Sequence, residues 1–215
     1  MSAAARVVVS GVSHRFGPRR GLEAVSFDVA APGVLAVTGA NGSGKSTLLR
    51  ILAGLLRPTT GSTTLELAGK EVPRAARRRH VGLASPELAF YEELTARENL
   101  AFAATARGMA NVHSAVNEAL GRTGLAARAA DLVAEFSSGM KQRLRLAFAV
   151  LHRPRILLLD EPGSHLDAGG REVVERLVQD ACADGLVVLA TNDPTESALA
   201  RERIELSGRG LDHPA

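Results

Sequence analysis

Residues 39–47, GANGSGKST, are the part of this chain best suited to chemistry, because they fit the phosphate-binding pattern GxxxxGK[ST]. Glycines let the backbone wrap closely round a triphosphate and direct its N–H groups at the oxygens. Lys45 is predicted to lie along the β- and γ-phosphates, and the Ser46 hydroxyl to bind Mg2+. The residues predicted to contact the nucleotide here are Gly39, Asn41, Gly42, Ser43, Gly44, Lys45, Ser46 and Thr47.

Further polar residues follow two apolar runs that read as strands buried on both faces. Asp160 and Glu161 come after residues 156–159, ILLL, and Asn192 comes after residues 186–190, LVVLA. In open α/β sheets, ligands bind at the carboxyl ends of the strands. We therefore expect these side chains at one edge of a sheet, beside the phosphate loop.

Two other stretches could also bind a nucleotide. Ser137, Ser138 and Gly139 precede a predicted helix, so they offer a hydroxyl and free backbone N–H groups to an anion, although a plain helix cap would look the same. Phe16 lies 23 residues before Gly39. It is either a core aromatic of a small sheet or a platform under adenine.

The elements that must position these residues follow from local patterns. Strands are predicted at residues 6–12, 25–29, 34–38, 62–67 and 81–84, and helices at residues 46–53, 168–183 and 193–200. A helix is also predicted after Gly139, ended by His152 and Pro154. Residues 92–132 have a helical pattern broken at Gly108, Gly121 and Gly124, which indicates a helical lobe inserted within the chain.

Composition limits the classes of partner and location. The chain has 215 residues, a formal charge of +3, 3% aromatic residues and no Trp, so no nucleic-acid partner is expected. The basic run at residues 74–80 is predicted to be a solvated face. Its single cysteine, Cys182, excludes an intramolecular disulfide, which suits a reducing compartment. Because no apolar run approaches the ~20 residues of a membrane span, a soluble or peripheral protein is predicted.

Taken together, these motifs resemble those of the nucleotide-binding domain of ABC-type ATPases, over essentially the whole chain. Residues 156–162, ILLLDEP, are similar to that family's second nucleotide motif, residues 136–140, FSSGM, to its signature motif, and residues 164–167, SHLD, to its D-loop. The resemblance implies an α/β fold of the P-loop NTPase (RecA-like) type with a mainly parallel sheet. It also implies a small antiparallel β subdomain and a helical subdomain at about residues 88–143, within a single domain of residues 1–215.

The resemblance also implies roles for the site residues. Asp160 would hold Mg2+ through water, and Glu161 would orient or deprotonate the attacking water, with Lys45 and Asn192 beside the reacting phosphate. The signature residues would bind the γ-phosphate of ATP held by a second subunit. ATP would thereby join two domains head to tail, most simply as a homodimer, and hydrolysis would release them.

Two positions depart from the family pattern. Pro86 stands where the family usually has a Gln that contacts Mg2+ and water, and Ser85 or Glu87 could substitute for it. Asn192 replaces the family's switch His, so this position cannot become cationic. We therefore expect real but slow ATP hydrolysis.

The function predicted is that of a cytoplasmic ATP-binding subunit, peripheral on the inner face of the cell membrane, that powers a separate membrane permease. The FSSGMKQR form of the signature favours an exporter. Phe90, Tyr91, Leu94 and Leu100 are candidate contacts for the permease, with about half of them expected in the lobe core. Two alternatives remain open: a soluble assembly ATPase, and a module that senses ATP with little turnover.

Overall fold

The computed structural model describes residues 5–207 and contains nine strands and six α-helices within that range. In chain order these elements are β1 (Ala5–Phe16), β2 (Arg19–Ala30), β3 (Gly33–Thr38), α1 (Lys45–Leu52), β4 (Thr60–Leu67), β5 (Lys70–Glu71), β6 (Val81–Ala84), α2 (Ala96–Ala106), α3 (Val112–Arg122), α4 (Ser138–Val150), β7 (Ile156–Asp160), α5 (Ala168–Cys182), β8 (Leu186–Ala190), α6 (Pro194–Ser197) and β9 (Glu202–Glu205). Short 3-10 turns occupy Arg74–Arg79, Ala126–Arg128 and Val133–Glu135.

The central sheet consists of five parallel strands in the order β6-β7-β8-β3-β9. Its middle strands are apolar without interruption because both of their faces are covered. Alternate residues enter two different cores: Ile156 and Leu158 pack towards α1 and the second sheet, whereas Leu157 and Leu159 pack towards α2 to α5. The predicted α/β fold with a parallel sheet is therefore confirmed.

A second, antiparallel sheet has the strand order β2-β1-β4-β5. Its inward residues, such as Val7, Val9 and Leu65, share one core with α1 and with one face of the central sheet. Strands β1 and β2 are longer than the sequence predicted. They are joined by a two-residue turn, so that β1 ends at Phe16 and β2 begins at Arg19. Helix α1, which follows the phosphate loop, is thus held between the two sheets.

The region predicted to be a helical lobe contains α2 and α3 and leads into α4. Helix α2 begins with a capping box, in which the Thr95 hydroxyl accepts from the Glu98 N–H and the Glu98 carboxylate accepts from the Thr95 N–H. Of the three predicted breaks, those at Gly108 and Gly124 occur, and both residues have positive φ angles. The break predicted at Gly121 was wrong, because this residue lies within α3 (Val112–Arg122). Residues 125–137 form 3-10 turns and extended chain rather than the helix predicted as far as residue 132.

Two further elements differ from the prediction by local pattern. Strand β9 was not predicted, because the segment Glu202–Glu205 has three charged residues and a single apolar one, and it becomes a strand only by pairing with β3. Helix α6 ends at Ser197, three residues before the predicted end.

The basic run at residues 74–80 is not wholly a solvated face, because Arg77 is only 3% exposed. Its Nη1 donates to the Leu52 carbonyl at the end of α1 (3.3 Å) and to the Thr63 hydroxyl (2.9 Å). Its Nη2 donates to the Thr63 carbonyl (2.6 Å). Arg77 therefore caps the carboxyl end of α1 and ties it to β4, a contact between distant segments that residue type alone does not reveal.

Candidate functional site

The phosphate loop runs from β3 into α1 with a backbone that only glycine adopts freely. Gly39 and Gly44 have φ angles of 141° and 104°. A Cβ at Gly39 would lie 2.6 Å from the Leu206 carbonyl oxygen, and one at Gly44 would lie 2.5 Å from the Gly21 carbonyl oxygen. The predicted need for glycine at these positions follows here from both torsion and space.

Lys45 brings three predicted residues together. Its ammonium group donates to the Gly39 carbonyl (2.8 Å) and to Asn192 Oδ1 (3.1 Å), and lies 3.5 Å from a Glu161 carboxylate oxygen. The Asn192 Nδ2 in turn donates to Asn41 Oδ1 at 2.9 Å. The phosphate loop and the carboxyl ends of β7 and β8 therefore meet at Lys45, which is itself only 6% exposed.

Asp160 lies at the end of β7 and is only 2% exposed. Burial raises the pKa of Asp160, as does the neighbouring Glu161 charge, while the Ser46 hydroxyl, Lys45 and Arg50 act in the opposite direction. One Asp160 oxygen, Oδ1, is buried with no hydrogen-bond partner among the described residues. The arrangement leaves a hard oxygen donor beside the Ser46 hydroxyl.

These donors fit a Mg2+ ion. Magnesium prefers oxygen ligands and is usually held by one or two protein groups together with substrate phosphates and water. Residues 5–207 contain no group of three or more His, Cys, Asp or Glu side chains that could form a metal site by themselves. Asp160 and Ser46 supply the few oxygen donors that such a substrate-dependent site needs.

Phe16 lies on the same cavity as the phosphate loop. This cavity has a volume of about 400 Å³ and is lined by Phe16, Gly21, Asn41, Gly42, Gly44, Lys45, Ser46, Thr47, Asp160 and Glu161. Phe16 is 47% exposed, and its ring contacts the His14 ring edge to face, with 4.5 Å between the ring centroids. Since a Cβ at Gly21 would lie 2.5 Å from the Phe16 ring, Gly21 leaves room for that aromatic ring. Phe16 is thus partly exposed beside the loop, and its role as a platform under adenine stays a prediction.

The signature residues lie at a different cavity of about 300 Å³. Its lining residues are Gly124, Leu125, Arg128, Ser137, Ser138, Gly139, Met140, Arg143, His165, Leu166 and Asp167. Ser137 is the N-cap of α4, and its hydroxyl accepts from the Met140 N–H at 3.2 Å. Among the described residues, none lines both this cavity and the phosphate-loop cavity.

A third cavity, here called the lobe groove, has a volume of about 440 Å³ and lies between α2, α4 and the segments at residues 78–79 and 88–91. Its lining residues are Arg78, Arg79, Leu88, Ala89, Phe90, Tyr91, Asn99, Phe102, Ala103, Ala106, Arg107 and Phe148. Phe90 and Tyr91, two of the four candidate permease contacts, line this groove, and their contact with a permease stays a prediction. Leu100 is fully buried in the core, and Leu94 is not among the lining residues.

The structure also gives the surroundings of the position where the family pattern fails. Ser85, directly after β6, is buried, and Pro86, the next residue, is exposed. The Glu87 carboxylate forms an ion pair with Arg50 on α1. The proposal that Ser85 or Glu87 replaces the missing Gln stays a prediction.

Sequence reasoning missed two polar residues behind the site. Glu196 is buried after β8, and one of its carboxylate oxygens accepts from the Gly163 N–H at 2.7 Å; burial raises the pKa of Glu196. Gln142 is buried on α4 and donates to the Glu161 and Pro162 carbonyls. Gln142 could have been found from the sequence, because it is a polar residue on the otherwise apolar, inward face of a predicted helix, and buried polar groups are hydrogen-bonded.

The arrangement of the phosphate loop, carboxylate strand and signature helix agrees with the family comparison. A family model described as ABC transporter matches residues 22–164. The chain belongs to the ABC transporter family. The prediction that it is an ATP-binding cassette of this family is confirmed. Residues 5–207 contain no helix long and apolar enough to cross a bilayer.

Relatives of this cassette include proteins with different stated roles. It is 36% identical over 196 residues to a daunorubicin resistance ATP-binding protein of Streptomyces coeruleorubidus, across 89% of this chain and 61% of the relative. It is 32% identical over 225 residues to a sulfate/thiosulfate import ATP-binding protein of Thermosynechococcus vestitus, across 97% of this chain and 66% of the relative. The cassette thus spans less than two thirds of the length of either relative.

Solved structures support the fold. A dimeric ATP-binding cassette in a post-hydrolysis state, bound to ADP and Pi, superposes with a TM-score of 0.83 at 24% sequence identity. The match covers 93% of this chain and 94% of that one. The fold of this cassette is therefore that of an ABC ATPase.

Proposed function

We propose that this chain is the ATP-binding and ATP-hydrolysing subunit of an ABC transporter. The observation that carries the proposal is the convergence of Lys45, Glu161 and Asn192 at one sheet edge, beside the buried Asp160 carboxylate. This set combines a cation for the phosphates, an oxygen donor for a metal and a carboxylate that can orient water. Family membership supports the same activity.

Each residue of the site has a distinct proposed role. Mg2+ held by Ser46 and Asp160 would neutralise charge on the phosphates. Lys45 and the N–H groups of the glycine-rich loop bind the phosphate chain, and Phe16 supports the adenine. Glu161 orients the attacking water; its side chain is 29% exposed and lines the phosphate-loop cavity. Asn192 contacts the γ-phosphate as a neutral hydrogen-bonding group.

The proposed active unit is a head-to-tail pair of cassettes. The signature cavity and the phosphate-loop cavity are separate within one chain. A γ-phosphate held at Lys45 would be enclosed by Ser137, Ser138 and Gly139 of a second copy. Because ATP would then have different affinities for the paired and the separate states, its binding would drive pairing and its hydrolysis would drive separation.

The proposed docking site for a membrane permease is the lobe groove. Tyr91 and Phe102 are more than half exposed and contact each other edge to face at 5.7 Å. An exposed aromatic pair on a concave surface is typical of a site that binds a partner. The cassette would then lie on the cytoplasmic face of the membrane without entering it. A homodimer and the absence of a nucleic-acid partner remain part of the proposal.

The direction of transport is proposed as export, on the FSSGMKQR form of the signature. A relative named for daunorubicin resistance supports this direction, while a relative named for sulfate import points the other way. A module that senses ATP with little turnover is the second candidate, favoured by Pro86 and Asn192. The two candidates differ in phosphate release.

The experiment uses the full chain carrying Glu161→Gln, mixed with Mg2+ and ATP. The expected result is that ATP doubles the 22.5 kDa mass measured by light scattering, because hydrolysis no longer separates the pair. Adding Ser137→Glu should abolish the doubling, and the exposed control Ser114→Glu on α3 should leave it intact. A chain that binds ATP but keeps the monomer mass would overturn the head-to-tail pair.

Phosphate release by the unmodified chain distinguishes the candidates. We expect a rate below the roughly 10 s⁻¹ of a median enzyme, strongly reduced but still measurable in Glu161→Gln. Doubling without phosphate release, unchanged by Glu161→Gln, would instead support the ATP-sensing module.

A further inference from the structure

The side chain of Gln142 connects helix α4 to the backbone around Glu161. It is 2% exposed, and its Nε2 donates to the Pro162 carbonyl at 3.0 Å and to the Glu161 carbonyl at 3.3 Å. The helix that begins at the signature Ser137 is thereby joined to the end of the carboxylate strand. A buried amide with both carbonyls within reach restrains where that strand end can lie.

The Glu161 backbone needs such a restraint. Its φ angle is 46°, in the left-handed region that residues other than glycine rarely adopt. Its N–H donates to the Ala190 carbonyl (2.8 Å), and its carbonyl accepts from the Ser164 N–H (3.1 Å) as well as from Gln142. Since such conformations persist only where surrounding groups hold them, these contacts set the direction of the Glu161 side chain.

The other end of the Gln142 amide is held by Arg145, one turn further along α4. Arg145 Nη1 donates to Gln142 Oε1 at 3.2 Å, and Arg145 Nε donates to the Leu88 carbonyl at 3.1 Å. Because one end of the amide faces a donor and the other faces two carbonyls, its orientation is determined. Leu88 lines the lobe groove.

We propose that Gln142 is a positioning residue for Glu161 and that Arg145 connects this contact to the lobe groove. The continuous sequence of hydrogen bonds runs from the Leu88 carbonyl through Arg145 and Gln142 to the Glu161 carbonyl. It passes through α4 and uses no side chain at position 86. A change in the groove thus reaches the water-orienting carboxylate despite Pro86. The inference rests on the proposed role of Glu161 in hydrolysis.

The experiment measures ATP hydrolysis and ATP binding by the full chain carrying Gln142→Met. This change keeps the length of the side chain and removes both donors. We expect kcat to fall by about 10- to 100-fold, because small displacements of a catalytic group are this costly. KM and the Kd for ATP should stay within about twofold, because the phosphate-loop contacts are unchanged. The exposed control Gln179→Met on α5 should change neither constant.

A second background separates positioning from a loss of folded protein. When Glu161→Gln is present, adding Gln142→Met should leave the remaining rate unchanged, since the carboxylate to be positioned is absent. A further fall in that background would show a general structural role and overturn the inference. Should Gln142→Met not fold, Gln142→Asn keeps the amide but withdraws it from the carbonyls, and the same outcomes apply.

Arg145→Met tests the connection to the groove. We expect a smaller fall in kcat, about threefold, because Gln142 keeps its donors but loses the partner that orients it. In combination with Gln142→Met, Arg145→Met should add nothing. Additive effects, or a Gln142→Met variant with the kcat of Gln179→Met, would overturn the relay while leaving the proposed function intact. A rate unaffected by Glu161→Gln would instead overturn the proposed function, and this inference with it.

Discussion

Asp160 is held in a place that suits a metal but not an isolated charge. Its carboxylate is buried, and the pKa is raised because burial outweighs the nearby cations Lys45 and Arg50. A carboxyl group whose pKa is higher in the folded chain favours the protonated form there. The metal-free fold therefore gains stability as the pH falls through that pKa and loses it as the carboxylate ionises.

Asp160→Asn should stabilise the metal-free chain while abolishing hydrolysis. Removing the buried charge is expected to raise the free energy of unfolding by about 1 kcal/mol, which is roughly 2–4 °C in Tm for a chain of this size. Thermal unfolding without nucleotide or metal measures the change. The exposed control Glu172→Gln should stay within about 0.5 kcal/mol. A lower Tm for Asp160→Asn would mean that the cations stabilise the carboxylate more than burial penalises it.

Asn192 is predicted to limit the proposed rate of hydrolysis. It accepts from Lys45 and donates to Asn41, but it is shorter than histidine and stays neutral. We expect Asn192→His to raise the steady-state rate of phosphate release by about tenfold, because a longer donor would stabilise charge on the γ-phosphate. The surface control Asn111→His should have no effect. A slower rate of phosphate release by Asn192→His would show that Asn192 does not limit hydrolysis.

Helix α1 illustrates how an element is held from outside its own sequence. Its start is predictable from the glycine-rich loop, and its predicted end before Gly54 is confirmed. The hydrogen bonds from Arg77 to its last turn come from a distant 3-10 turn. Such a contact is decided by how the antiparallel sheet packs on the helix, so the basic run alone could not reveal it.

Arg77→Met should therefore destabilise the fold. The loss of hydrogen bonds from a charged donor to buried carbonyls is expected to cost about 2–4 kcal/mol in the free energy of unfolding. Urea denaturation measures it. Arg79→Met, at an exposed position of the same turn, should cost no more than about 0.5 kcal/mol. Equal costs for the two changes would show that the hydrogen bonds of Arg77 do not stabilise the fold.

At the scale of the whole molecule, stability depends on a histidine far from the site. Burial and the Arg107 charge lower the pKa of His152 to about 4, with His80 also nearby, so His152 is neutral at pH 7. The unfolded chain binds a proton at this residue below about pH 6.5, whereas the folded chain does not until about pH 4. Stability is therefore present above the unfolded pKa and is lost as the pH falls.

His152→Met should flatten the pH dependence of unfolding. Between pH 7 and pH 5 the unmodified chain is expected to lose about 2 kcal/mol more than the variant, since one unit of pKa difference is about 1.4 kcal/mol. Denaturant titrations at the two pH values give this difference. The exposed His113→Met serves as the control and should keep the slope of the unmodified chain. If both variants keep that slope, His152 is not the residue responsible.

The sequence by itself determined the family, the α/β fold class and the main strands, because these depend on local features. Uninterrupted apolar runs predict buried parallel strands, and the glycines and Lys45 of residues 39–47 carry their chemistry in their types and spacing. The roles of the site residues and the extent of the helical subdomain stay predictions.

Only the tertiary structure decided which distant residues meet. Strand β9 exists because β3 offers it a free edge, and Gln142, Arg145 and Leu88 join through packing of α4 on the central sheet. Hydrogen bonds between residues far apart in the chain depend on exact helix rotation and on burial. Residue type and spacing do not specify these, so the contacts behind Glu161 were visible only in the folded chain.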